Sequence, residues 1–168
     1  MQQAAKSTAV LAGLGVLLLL AALWGWRAAT EPFPGKAETR RCVTTPVAAG
    51  AKVFPAQVLV SIYNASERNG LAGQTMDLFV DAGFAEGDSG NAPADSEVGT
   101  AAIWTDTPTS PDVLLVASRL GPEVEIVRRE GRGIGVMVLV GDGFSELVKG
   151  DRRVVAEDDG RICSPPVG

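Results

Sequence analysis

The chain has no histidine, and its only two cysteines, Cys42 and Cys163, stand far apart, outside any C-x-x-C spacing. These absences remove the commonest base of nucleophile triads, the imidazole ligands of most zinc sites and a thioredoxin-like dithiol. Positive charge is also scarce: 15 Lys and Arg are scattered against 20 Asp and Glu, for a net charge of −5. Nucleic acid is therefore not an expected partner, and any recognition of an anion has to be local.

The motifs that chemistry would need are thin. Asp158-Asp159 and the acids Glu86, Asp88, Asp95 and Glu97 lie in polar stretches, without the EF-hand spacing, and read as solvated loops. Gly131-x-Gly133-x-Gly135 lacks the G-x-G-x-x-G spacing and reads as a turn between two strands. Ser66 and Ser110 have ready roles as turn and cap residues. No catalytic residue, metal ligand or cofactor is expected.

What the chain does contain is one long apolar run. Thr8 to Trp26 carries no charge; a helix of this length rises about 30 Å, enough to cross a bilayer core. Trp24 and Trp26 close it at the interface, followed by Arg27. Lys6 ahead of a leucine-rich core also describes a signal peptide, but Trp26 or Arg27 would occupy the third-last position of a cleavage site that needs a small residue. An uncleaved anchor at 8–26 with a short cytoplasmic tail at 1–7 is the expectation. The positive-inside count alone does not favour export, because Arg27, Lys36, Arg40 and Arg41 lie beyond the span.

Pro32, Pro34, Pro46 and Pro55 give 27–55 little periodicity, so it reads as an extended stalk. The remainder suits one small domain. Cys42 and Cys163 flank it; a bridge would join both tails, and two unlinked thiols are the alternative.

The domain opens with a strand over Val58, Val60, Ile62 and Tyr63 that reads as half-buried, then a polar turn from Asn64 to Gly70. Leu71, Thr75, Leu78, Phe79 and Ala82 recur at helical spacing, and Gly83 stops the helix. Glu86 to Val98 reads as a long loop, with a very short strand at Phe84 to Glu86. Gly99 to Thr105 is a strand, and Ser110-Pro111 starts a helix whose apolar face is Val113, Leu114, Val116, Ala117 and Leu120. Strands follow at Glu123 to Arg128 and Ile134 to Val140, and Asp142-Gly143-Phe144 turns an aromatic inward. In the extension 149–168, Arg152 to Val155 and Arg161 to Cys163 read as a hairpin. The expected fold is an α/β two-layer sandwich, a mixed sheet with two helices on one face, close to a split βαβ arrangement.

The run N-A-S-x-x-N-G-L-A-G after a valine-rich strand, then D-A-G-F, Asn91-Ala92-Pro93, the strand around Ala102 to Trp104 and V-L-V-G-D-G-F at Val138 to Phe144 resemble, in order, the LytR C-terminal domain. The resemblance covers roughly Gln57 to Val148, within an expected domain of 56–148. It implies a stand-alone, membrane-anchored member of actinobacterial type facing the cell wall. The LytR-CpsA-Psr phosphotransferase domain that precedes such modules elsewhere has no counterpart here, so its activity is not implied. Implied partners are cell-wall glycopolymer or peptidoglycan, or wall enzymes of the LytR-CpsA-Psr type. A protein adaptor that offers a sheet edge is the alternative.

The contact surface expected is the turn into the first helix: Asn64, Ser66, Asn69, Gly70, Leu71 and Ala72. The first amides of a helix lack intrahelical acceptors and attract a carboxylate or phosphate. Asn69 as an ordinary cap is the competing structural role.

Overall fold

The computed structural model describes residues 13–26 and 42–166. The chain divides into two compact units, Met1–Ala37 and Glu38–Gly168. In the first, residues 13–26 form helix α1, whose leucines and whose Trp24 and Trp26 are all exposed. A helix of that length rises about 20 Å, against roughly 30 Å of hydrocarbon. No helix among the described residues is long and apolar enough to cross a membrane. The opening of the expected span, residues 8–12, lies outside the described residues, as do the tail 1–7 and residues 27–41 of the expected stalk.

The described residues of the second unit hold nine strands, two α-helices and, between β2 and β3, a short 3-10 helix at Pro55–Gln57: β1 (Val43–Val47), β2 (Lys52–Val53), β3 (Leu59–Asn64), α2 (Leu71–Asp81), β4 (Ala85–Asn91), β5 (Ala101–Thr105), α3 (Pro111–Leu120), β6 (Glu125–Arg128), β7 (Val136–Val140), β8 (Val154–Val155) and β9 (Gly160–Ser164). Five strands make the central sheet in the order β4-β3-β7-β5-β6. β3 runs parallel to both β4 and β7, whereas β5 runs antiparallel to β7 and parallel to β6. Each helix therefore links two neighbouring parallel strands, and β7 sits between the two βαβ units. That corrects the split βαβ expectation, in which a strand would separate the members of each pair.

Alternation along the strands sorts the side chains onto two faces. Val60, Ile62, Ile103, Val138 and Val140 meet Leu71, Met76 and Phe79 of α2 and Val113, Val116 and Leu120 of α3 in one core, so both helices lie on one face. Phe144 is buried in the same core. On the other face Ala102, Trp104, Met137 and Leu139 form a smaller cluster, with Tyr63, Ala65, Ala92 and Val98 packed on it. β3 is consequently buried on both sides and is not the half-buried strand its alternation suggests, because β4 and β7 flank it and connecting segments cover its second face.

β4 replaces the first part of the expected loop at 86–98, up to Asn91. Its residues, AEGDSGN, are poor strand formers, and the strand exists because β3 supplies its hydrogen-bonding partner. The pairing steps from Val60↔Glu86 to Ile62↔Ser89, leaving one extra β4 residue in a bulge.

In α3 Val113, Val116 and Leu120 of the expected face are buried and Ala117 packs partly buried on the core, whereas Leu114 is exposed and Asp112 and Leu115 are buried in addition. Ser110 does not cap the backbone with its side chain. Its hydroxyl donates to Asp112, whose carboxylate accepts the Val113 amide at 3.0 Å. Burial pushes the Asp112 carboxyl above its usual range, opposed by these hydrogen bonds.

The two ends of the unit meet. β1 pairs antiparallel with β9 and β2 with β8, so Arg152–Val155 and Arg161–Cys163 do not form the expected hairpin with each other. They pair instead with a segment expected to be stalk, and Val47, Val53, Ala156 and Ile162 join the helix-side core. The Cys42–Cys163 disulfide closes this end-to-end ladder across 121 residues. A loop of this size gives about 4 to 5 kcal/mol in the chain-entropy treatment. The Cys42→Ser, Cys163→Ser double variant is expected to lose up to that amount in urea unfolding; an unchanged midpoint would show that the ladder alone closes the ends.

Candidate functional site

The turn after β3 is held by its own side chains. Asn64 Oδ1 accepts the Ser66 amide at 2.9 Å and the Ser66 hydroxyl at 2.7 Å, and Asn64 Nδ2 donates to the Arg68 carbonyl at 2.7 Å. Ser66 Oγ in turn accepts the Arg68 amide at 3.1 Å. Arg68 reaches across to the Phe144 carbonyl at 2.5 Å and the Asp142 carbonyl at 3.4 Å, which ties the turn to the segment after β7. These bonds account for Asn64 and Ser66 as turn chemistry.

The six residues expected to form a contact surface are not equivalent in space. Leu71 and Ala72 are buried in the helix-side core, whereas Asn69 and Gly70 are exposed. Gly70, at φ +76°, occupies the cap position, and no side chain caps the helix. Asn69 is therefore not the cap; it precedes it by one residue, because the left-handed turn into α2 falls on the glycine. Ala65 packs on the second face of the sheet, so the turn adjoins the surface on which the other connecting segments lie.

That second face carries a cleft. The segment after β4 has to cross from the sheet edge to β5, and Ala92 and Val98 pack on the face as it does so. The segment from β6 back to β7 crosses from the opposite edge. The first is tied to β3 by the Ala92 amide, which donates to the Asn64 carbonyl at 2.8 Å, and the second by Ser61, a fully buried residue that also holds strand β4. The Ser61 hydroxyl donates to the Ile134 carbonyl at 2.6 Å and accepts the Asp88 amide at 3.0 Å, at the bulge. A β-carbon at Gly87 would lie 2.6 Å from Ser61 Oγ, and one at Gly133 2.7 Å from Ser61 Cβ. The glycines thus serve close approach to the sheet, which the expected flexible-turn role of 131–135 does not capture. Further along, the Arg132 amide donates to Met137 Sδ at 3.2 Å.

Between the two crossing segments lies a cleft of about 510 Å³, lined by Pro93, Trp104, Arg129, Glu130, Gly131 and Arg132. Trp104 is only 6% exposed, and the Arg129 guanidinium lies 4.0 Å above its ring. Arg129 Nη2 also donates to Asp95 Oδ2 at 3.1 Å. The Arg129 hydrogen bond, the Asp95 backbone amide and the charges of Arg129 and Arg132 hold the Asp95 carboxyl below its usual range. Nearby on the same face, burial and then the Asp88 charge raise the Tyr63 phenol. Among the described residues no group of three or more acids or cysteines is placed to hold a metal ion.

None of these cleft residues was expected from the sequence as a contact. The available signal was the run R-R-E-G-R at 128–132, a local cluster of positive charge in an acidic chain. Its partner Asp95 comes from 34 residues earlier, and no local pattern links them.

The class defined by this fold is a small α/β module with a loop-lined cleft on the helix-free face of its sheet. The profile of the family described as LytR cell envelope-related transcriptional attenuator matches residues 57–144, more than half of the chain, and the chain belongs to this family. The chain is also similar to the soluble domain of a conserved hypothetical secreted protein, an Rv2700 ortholog, from Mycobacterium marinum. That likeness has 26% identity and a TM-score of 0.49, over 59% of this chain and 70% of the other. No curated protein matches the chain.

Replacing Ser61 by alanine strands the Asp88 amide and the Ile134 carbonyl beneath the crossing segments. Each buried group left without a partner costs about 1 to 3 kcal/mol. Ser61→Ala is therefore expected to lower the unfolding free energy by about 1 to 4 kcal/mol in urea titrations, allowing for partial relaxation. A loss below 0.5 kcal/mol, on the order of a neutral surface change, would show that the segments are held elsewhere.

Proposed function

We propose that this chain is a non-catalytic, extracytoplasmic module of the cell envelope, anchored by the segment 8–26, that binds an envelope polymer through the helix-free face of its sheet. The observation that carries the reading is the cleft over Trp104. It is an open groove between two sheet-fastened segments, with an aromatic floor and arginine walls. Membership of an envelope-related family supports the setting. The Cys42–Cys163 disulfide supports an oxidising compartment. The Asn64 to Ala72 turn adjoins this face through Ala65 and is a second contact region in the proposal.

A different reading, a protein adaptor without glycan recognition, draws support from β6. This strand lies at the sheet edge, all four of its residues are exposed, and Ile126 and Val127 are among them. Such an edge can pair with a partner strand.

Co-sedimentation of the oxidised full-length chain, in mild detergent, with purified sacculi separates the two. Saturable binding that falls when the secondary wall polymers are removed is expected. No binding to sacculi in either form would turn the assignment to the adaptor and to the β6 edge.

A further inference from the structure

Two contacts hold the Arg129 guanidinium: its central carbon lies 4.0 Å from the centre of the Trp104 ring, and Asp95 engages it through a single nitrogen. Trp104 is itself immobilised in the second-face cluster with Met137 and Leu139. A guanidinium seated over an aromatic ring and bonded to a carboxylate through one nitrogen keeps further N–H donors for an anion in the cleft.

Arg132 supplies a second positive group to the same lining, and its backbone is seated on the sheet through the amide bond to Met137 Sδ. The acids present are Glu130, in the lining, and Asp95 at its rim. The Asp95 and Arg129 side chains are 69% and 46% exposed, so their ion pair is a water-facing one that contributes little to stability. An incoming anion that met the guanidinium with two oxygens would make the stronger, bidentate contact.

Resting on the envelope-polymer reading above, we propose that the cleft bounded by Pro93, Trp104 and Arg129 to Arg132 binds the anionic group of a charged glycopolymer, a phosphodiester or a carboxylate. In the free protein the Asp95 carboxylate stands in for that group on Arg129. The overall negative charge of the chain then acts as a filter. It opposes adhesion to polyanions in general, so that binding depends on the local pair Arg129 and Arg132 in the cleft.

The test uses the full-length chain in mild detergent with three soluble probes: polyglycerol phosphate, polygalacturonate and neutral dextran. Binding of at least one anionic probe without binding of dextran is expected, and which one binds names the anion. Arg129→Gln should weaken that binding at least tenfold, and Arg129→Lys, which keeps the charge without the fork, should weaken it severalfold. Asp95→Asn, which removes the internal competitor, should tighten it severalfold. Thermal unfolding of each variant checks that the fold persists. Binding of neither polyanion, or binding indifferent to Arg129→Gln and Asp95→Asn in folded protein, overturns the inference. Sacculi sedimented with the same variants keep the two readings apart. Wall binding equal in wild type and Arg129→Gln removes the cleft assignment and leaves the envelope reading standing. Binding of a soluble polyanion without any binding to sacculi keeps the cleft and removes the wall as its target.

Discussion

The hydroxyl of Ser61 sits where three pieces of backbone meet on the helix-free side of the sheet, and the shape of that side follows from it. One oxygen bonds the bulged residue of the edge strand β4 and the carbonyl of Ile134 on the way to β7. A polar group buried in the middle of a central strand is costly unless it is satisfied, and here it is satisfied twice. The two segments are drawn onto the sheet within a β-carbon's radius, and Gly87 and Gly133 are what permit it. With both tied to β3, the spans beyond them, through Pro93 to Asp95 and through Arg129 to Arg132, face one another over Trp104.

The opposite face is built differently and explains why the cleft can stay open. Val60, Ile62, Ile103, Val138 and Val140 of β3, β5 and β7 pack against α2 and α3, and the β1–β9 and β2–β8 ladders add Val47, Val53, Ala156 and Ile162 to that core. The second face carries only a small cluster and does not need a helix to cover it. A module whose stability is concentrated on one side and at its disulfide-closed ends can display a polar groove on the other.

Periodicity made β3, α2, β5, α3 and β7 legible, because each buries a patterned apolar face that depends on the local sequence alone. β4 was illegible for the opposite reason: Ala-Glu-Gly-Asp-Ser-Gly-Asn has no strand pattern, and its pairing is dictated by β3. The same holds for β1 and β2, which read as stalk because their partners lie more than a hundred residues away, at β9 and β8. Asn64 and Ser66 were visible as a turn, but only the structure shows their polar groups bonded within it. The cleft escaped notice because its parts are a buried tryptophan, an arginine in a turn and an aspartate in a loop. They acquire meaning only when the topology crosses two connections over one face.

The most direct measurement is an amide chemical-shift map of the isotope-labelled full-length chain in detergent, titrated with soluble fragments released from sacculi. The account predicts perturbations that cluster at residues 94–98 and 129–132 and at the Trp104 indole, on the helix-free face. Perturbations confined to the β6 edge, or to the 64–72 turn with the cleft silent, would contradict it.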